Sequence, residues 1–519
     1  MKEAYDVVII GSGFGGAITG CRLAEAGHSV CILERGKRWE KSEFPRSASD
    51  LRNLFWTPGN PKGLIDYGTF RGIDVIRGTG VGGGSLVYFN VHLETPPRIF
   101  EQGWPKDVNR SVLNPYYDKV RTMLEAKPLE PPKGTDMLPR TRAFMEAAKK
   151  VGREPRMVNI AVYTGEDRKN PVGKVNQSGC VYCSNDLLGC HVHAKNTLDL
   201  NYIPIAESKG AEVFPLHMVE KIEPSKNGYK VTYRELTKNS TASVTGKKLV
   251  VAAGTLGTNE LLLKCKGVFK TLPHLSPMLG KGFSGNGDFL LEGTWNSKVH
   301  VDATEGPSIT TVADFSSAKY SIHIEDLGFP DALAWYLEGA LPEVGRFIRA
   351  IKFVVRYLLQ TLNLVEDNRV ISHLNRLANQ SRIVRFLPYL GMGTDAADGV
   401  MSLKKGQIHV HWDSKNSMDM FNDMEKGLKS LSKALGGKYI TSPIWLWPAR
   451  KLLTAHPLGG CPMADSKEMG VVNSYGEVWD YPNLYIADGS IVPTPLSVNP
   501  SMTIAALAER IAEHIVTKG

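Results

Sequence analysis

The chain has 519 residues and a formal net charge of +9, enough length for two domains and a large core. There is no basic tail and no interleaved basic-aromatic run, which argues against a nucleic-acid binder. No apolar stretch reaches membrane-spanning length without charges, and the N-terminus reads as mature fold rather than as a signal peptide. The cysteines number seven, and Cys21 and Cys31 sit where small packed thiols are expected, pointing to a reducing, cytoplasmic compartment.

The first element is the most informative. Val7–Ile10 is a short β-branched run that leads into Gly11-x-Gly13-x-x-Gly16, then a helical pattern, a second apolar run, and Glu34. This is the strand, glycine turn, helix and strand unit that holds a dinucleotide. Gly11 permits the tight turn, Gly13 lets backbone approach a pyrophosphate, and Gly16 lets the helix lie close on the strand. Gly15 falls inside the same turn. The free N–H groups at the helix start face the anion. Glu34 stands where a carboxylate accepts from ribose hydroxyls. The motif leaves FAD and NAD open.

Further along, Arg77 opens a run in which five glycines fall between Gly78 and Gly84, followed by Ser85, Leu86–Phe89 and Asn90. Such a backbone bends tightly or comes close to a flat or anionic group. The region 100–175 is mixed helix and loop without a readable chemical motif. Cys180-x-x-Cys183-x-x-Asp186-x-x-x-Cys190, with His191 and His193, approaches an iron–sulfur spacing. The third position is an aspartate and no second pair completes a set, so a structural loop is expected and no metal site is assigned. Ala194–Glu207 reads as a helix, Ala211–Val219 and Tyr229–Tyr233 as strands. Lys248–Ala253 followed by Gly254 repeats the strand, glycine turn and helix pattern.

From about residue 290 the pattern changes. Lys298–Asp302, Ser308–Asp314, Tyr320–Glu325 and Gly406–Trp412 alternate as in an antiparallel sheet. Between them, Gly345–Leu359 is a basic amphipathic helix with Arg346, Arg349, Lys352 and Arg356 on one stripe. It suits a membrane surface, a cover over an apolar pocket, or ordinary packing with a solvated face. The C-terminal part returns to chemistry: Thr454-Ala-His456-Pro-Leu-Gly-Gly460, the strand Leu484–Ala487 ending in Asp488-Gly489, and Asn499-Pro500 before a final helix. Pro500 fits a first helical turn, whose dipole favours negative charge nearby.

These blocks together resemble the glucose–methanol–choline (GMC) FAD-dependent oxidoreductases, nearest the bacterial cholesterol oxidase-like branch. Val7–Glu34, Gly78–Asn90, Gly254–Leu263 and His456–Ala508 occur in the family's order and span the chain, and the last is the most specific. The resemblance implies an α/β fold. A Rossmann-like FAD-binding domain would be formed by 1–290 with a return at 452–519. A second, substrate-binding domain at 291–451 would be built on an antiparallel sheet with helices. It implies FAD held by Gly11, Gly13, Gly15, Gly16, Glu34, Gly83, Gly84, Ser85, Asn90, Val219, Gly254, Asp488, Gly489, Asn499, Pro500 and Met502. His456 and Asn499 match the family's catalytic pair beside the flavin, suited to accepting an alcohol proton while a hydride leaves for the flavin.

Two departures stand out. Family members carry Asn two residues before the position of Asn90, where this chain has Tyr88. Sterol oxidases of the type group also use a substrate-domain glutamate to shift the product double bond, and Arg369 to Asp423 contains none, so that step is not carried over. Asp395 and Asp398 lie there without a motif to cast them. The expected activity is oxidation of the CH–OH group of a hydrophobic, sterol-like alcohol, with oxygen or another electron acceptor. The alternatives are a dehydrogenase of a smaller alcohol that reduces a quinone or protein, a flavin lyase or photodecarboxylase using Arg346–Arg356 or Arg382 and Arg385 to anchor a carboxylate, and a non-enzymatic flavin module. Peripheral membrane contact through 345–365 is a further expectation.

Overall fold

The computed structural model describes residues 1–47, 50–131, 136–330, 333, 383–446 and 450–518. The proposed amphipathic helix at 345–365 and Arg382 lie outside these residues.

The organising layer is a parallel sheet. Ala4–Ile10 sits between Val30–Leu33 and the C-terminal end of Ser240–Val251, with Glu212–Phe214 and Leu484–Ile486 outside them, all in parallel register. Val7, Val8 and Ile9 have no exposed surface, as expected of a strand covered on both faces. The helix Phe14–Glu25 leaves directly from the glycine turn, and the C-terminal helix Ser501–Lys518 packs against it. Arg22 of the first helix donates to Glu509 of the last at 2.8 Å, and the Tyr202 hydroxyl donates to the same carboxylate at 2.8 Å. Close helix packing depends on Gly16, where a Cβ would stand 1.9 Å from the Gly11 carbonyl oxygen. The long strand Ser240–Val251 also pairs, through its N-terminal half, with an antiparallel hairpin of His217–Ser225 and Gly228–Glu235.

The second sheet is antiparallel throughout. Its order is Lys438–Ile440, Phe289–Trp295, Leu387–Gly393, Ile322–Asp326, Thr311–Asp314, Pro155–Met157. The amphipathic helix Met418–Ala434 lies on it, burying Met420, Phe421, Met424, Leu428 and Leu431. The edge strand Pro155–Met157 comes from the region that carried no motif, and Phe289 already belongs to this sheet. Arg140 ties that region down: it is wholly buried, donates to Asp326 at 2.8 Å, and also reaches the Glu305 and Pro307 carbonyls.

Several expected elements differ. Ala211–Val219 is split between Glu212–Phe214, parallel in the first sheet, and the start of the antiparallel strand His217–Ser225, and Ser308–Asp314 is extended only from Thr311. Ala194–Glu207 is helical only from Tyr202, after a 3-10 turn at Leu198–Leu200. Ahead of it Lys195 donates to the Leu86 and Asp186 carbonyls and Asn196 donates to the Leu124 carbonyl, so these side chains tie the chain to other loops. Pro204 then falls in the first helical turn, where a missing N–H is tolerated. Lys298–Asp302 is not a strand, because Ser297, Val301 and Asp302 donate their N–H groups to Arg385 and Val384 in a connecting loop.

Candidate active site

A cavity of about 700 Å³ runs between the two sheets. The glycine turn forms one wall, through Gly11, Gly13 and Gly15, and Gly83 and Gly84 form another. The two glycine segments touch: a Cβ on Gly83 would come 2.6 Å from the Gly13 Cα, whereas one on Gly84 would meet no protein atom. Glu34 closes one end. Its carboxylate accepts from Ser12 N at 3.1 Å, Ser12 Oγ at 2.7 Å and Gly36 N at 2.8 Å, which leaves acceptor capacity for a ribose. Val219 lines the cavity where the strand register shifts between Val219 and Lys221.

Asp488 and Gly489 line the middle beside Gly254. The Asp488 carboxylate accepts from Gly254 N at 2.9 Å, Thr258 Oγ1 at 2.5 Å, Ser490 N at 2.9 Å and Ser490 Oγ at 2.6 Å, so it clamps two loops together. Burial pushes its carboxyl above the usual range, against those hydrogen bonds. At the far end stand His456, Asn499 and Pro500, the last two at the start of the C-terminal helix. Among the described residues, the second sheet brings only leucines to the wall: Leu290, Leu291 and Leu390.

The ring of His456 is held from behind. Its Nδ1 lies 2.8 Å from Asp288 Oδ1, and the other oxygen of Asp288 accepts from Thr454 Oγ1 at 2.8 Å and Ala455 N at 2.9 Å. Asn499 donates its amide to Glu325 Oε2 at 3.3 Å. Glu325 lies fully buried on the strand Ile322–Asp326, its Oε1 has no partner among the described residues, and burial drives its carboxyl well above the ordinary range. Neither Asp288 nor Glu325 belongs to a readable motif. Glu325 also lies upstream of the Arg369–Asp423 window, so the absence of a glutamate there does not leave the site without one. A cue was present in the alternating run Tyr320–Glu325, which places an acid in a strand of the second sheet.

Not every residue named from the sequence reaches the cavity. Asn90 is fully buried with φ of 64°, and its amide donates to Asp186 at 2.7 Å, away from the cavity wall. Ser85 bonds the Gly82 carbonyl at 2.8 Å and accepts from Leu198 N at 3.1 Å, so it braces the glycine loop from beneath. Met502 is packed in the core, and Gly16 serves helix packing. Tyr88 does line the cavity, with its hydroxyl donating to the Asn196 carbonyl at 3.0 Å. In the cysteine-rich loop, Asp186 is occupied by Asn90 and by Ser308 N at 2.7 Å. Among the described residues no group of three or more His, Cys, Asp or Glu is arranged to hold a metal ion.

The N-terminal model of the GMC oxidoreductases matches residues 15–282 and the C-terminal model matches 404–508. The chain belongs to the GMC oxidoreductase family. It is 32% identical to a cholesterol oxidase of Mycobacterium tuberculosis (strain ATCC 25618 / H37Rv), covering 100% of this chain and 92% of that one. It is 29% identical to a cholesterol oxidase of Acinetobacter baumannii, covering 99% and 95%. A long-chain-alcohol oxidase of Arabidopsis thaliana is 24% identical, covering 98% of this chain and 67% of that one. Among solved structures, a formate oxidase of Aspergillus oryzae RIB40 superposes with a TM-score of 0.67 at 15% identity, covering 99% of this chain and 98% of that one. A pyridoxine 4-oxidase from Mesorbium loti does so with a TM-score of 0.65 at 14% identity, covering 98% of both.

The protein is an FAD-dependent oxidoreductase of alcohol-type substrates. The glycine cradle fits that cofactor: a side chain at Gly84 would project into the cavity itself, and among the described residues the N-termini of the helices Phe14–Glu25, Gly254–Leu263 and Ser501–Lys518 open into it.

Proposed function

We propose that the enzyme oxidises the CH–OH group of a hydrophobic, sterol-like alcohol. FAD, when bound, supplies the hydride acceptor. His456 takes the hydroxyl proton through Nε2, since Nδ1 is committed to Asp288. Asn499, whose buried Oδ1 has no partner among the described residues, orients the alcohol from the helix start. Glu325 moves a second proton within the product when the substrate carries a neighbouring double bond. The positive end of the helix Ser501–Lys518 favours negative charge developing beside it. Leu290, Leu291 and Leu390 exclude water and accept an apolar skeleton.

The observation that carries this reading is that His456 and Asn499 share one cavity with the glycine cradle and an all-leucine contribution from the second sheet. Its support outside the site is the likeness to cholesterol oxidases along the whole chain. The test is anaerobic bleaching of the flavin by sterols, terpenols, aliphatic alcohols and sugars. Sterols or other bulky apolar alcohols are expected to bleach it fastest, and a preference for small polar alcohols would overturn the substrate assignment. In the same assay His456→Ala is expected to keep FAD and lose at least about a hundredfold in reduction rate. Peroxide formation against dye reduction in air then separates oxygen from a quinone or protein as the acceptor.

A further inference from the structure

Resting on that reading of His456 and Asn499, we propose that the turn Ser284–Asp288 is the positioning element of the site, with Asp288 fixing the ring of His456 and Asn286 fixing the backbone that carries Asn499. The turn reads Ser-Gly-Asn-Gly-Asp and links the strand Lys281–Ser284 to the strand Phe289–Trp295. Two of its polar side chains reach partners far ahead in the sequence. Asp288 reaches His456, 168 residues away, and Asn286 reaches Leu496, 210 residues away.

The turn itself is immobilised. Asp395 accepts from Ser284 Oγ at 2.7 Å, Gly285 N at 3.1 Å, Gly287 N at 3.1 Å and Ala397 N at 2.9 Å. Gly287 adopts φ of +62°, and a Cβ there would strike the Gly393 carbonyl oxygen at 2.3 Å. Gly393 N in turn donates to the Asn286 carbonyl at 3.1 Å. The turn is therefore bonded to the strand Leu387–Gly393 of the second sheet, and both site residues inherit their placement from that sheet.

Asn286 is fully buried and uses both ends of its amide. Oδ1 accepts from Leu496 N at 2.7 Å and Ser497 N at 3.1 Å, and Nδ2 donates to the Val498 carbonyl at 2.9 Å. These three bonds hold the segment immediately before Asn499, including Ser497 at a left-handed φ of 59°. A left-handed backbone at a non-glycine residue is held only where surrounding bonds over-determine it.

Asp288 sets the chemistry of the ring. A neutral imidazole carries one N–H, and a carboxylate at Nδ1 selects the form with the proton there. That leaves the Nε2 lone pair as the proton acceptor on the cavity side. Asp288 does not line the cavity and its second oxygen is held by Thr454 and Ala455, so the carboxylate cannot turn away from the ring. It acts through His456, as an orienting partner acts on a metal-bound imidazole.

The test reads the ring directly in FAD-loaded protein labelled with ¹⁵N-histidine. The wild-type spectrum is expected to show His456, assigned with His456→Gln, as the Nδ1–H tautomer. A predominant Nε2–H tautomer would overturn the proposal without any variant or substrate being needed. In Asp288→Asn the amide can accept or donate, so both tautomers are expected, with FAD retained, alcohol affinity within about twofold, and flavin reduction slowed about 10- to 100-fold. In Asn286→Ala the rate is expected to fall while the His456 tautomer stays as in wild type, because that side chain acts on Asn499. An Asp288→Asn protein with wild-type tautomer and rate would refute the role. If no alcohol reduces the wild-type flavin, the proposed activity fails, while the tautomer still decides the role of Asp288.

Discussion

Glu325 accepts the side-chain amide of Asn499 across 174 residues of sequence, in a place where its carboxyl is fully buried and held well above the usual carboxylate range. An amide at this point keeps the shape and can still accept from Asn499, but only a carboxyl group can accept a proton and return it. With a β,γ-unsaturated cyclic alcohol, the wild-type enzyme is expected to release the conjugated ketone. Glu325→Gln is expected to oxidise the alcohol within about threefold of the wild-type rate and release the unconjugated ketone, because it lacks the proton-transfer group. Conjugation at the wild-type rate in that variant would remove Glu325 from the chemistry.

The glycines of the cradle separate into two kinds. Gly16→Ala places a methyl 1.9 Å from the Gly11 carbonyl oxygen, so the helix must move off the strand, and a stability loss of about 1–3 kcal/mol is expected. Gly84→Ala meets no protein atom but projects into the cavity. It should melt within a few degrees of the wild-type protein once FAD is stripped from both, and should retain far less FAD on purification. Full FAD retention in Gly84→Ala would show that this backbone does not face the cofactor.

Glu292 supplies a pH test. It is fully buried in the second sheet and accepts from Tyr439 Oη, Thr441 Oγ1 and Ser442 N, yet burial pushes its carboxyl up to about 7. A folded-state value above the unfolded one means the folded protein holds the proton more tightly. Its contribution to stability is therefore complete below about 4.5 and is lost as the pH rises through about 7. Glu292→Gln cannot ionise, so its melting temperature relative to wild type should improve between about pH 5 and about pH 8. A constant difference across that range would contradict the assignment.

The Arg140–Asp326 pair joins the helix Pro139–Lys150 to the strand beside the site, and both side chains are wholly buried. Removing one partner leaves a buried charge uncompensated. Arg140→Ala is expected to cost about 3–5 kcal/mol in denaturant unfolding, whereas an exposed pair such as Lys319–Asp419 should cost under about 1 kcal/mol when broken. Equal costs would mean that the interior pair is solvated.

The cofactor cradle was legible in the chain because its requirements are local. A strand that must turn at once into a helix around an anion needs glycine at fixed offsets, and Gly11, Gly13 and Gly15 line the cavity as that spacing implies. Glu34, Gly84, Asp488 and His456 are readable for the same reason: each lies at or next to the end of a regular element, and each lines the cavity. Ser85 and Asn90 belong to the same motif but face inward, because a motif states that a backbone comes close without stating which side chains turn toward the ligand. Asn286, Asp288, Glu325 and Asp395 left no local mark. The partners that tie them to the site lie more than a hundred positions away, and a lone acid or amide in a strand or turn looks the same whether it faces water or an imidazole ring. The sequence by itself therefore determined the fold class and the FAD cofactor, and it singled out His456 and Asn499, which the fold brings to one cavity. The tertiary structure decided what holds those two in place, because hydrogen-bond geometry between distant segments exists only once both sheets have been brought to the same cavity.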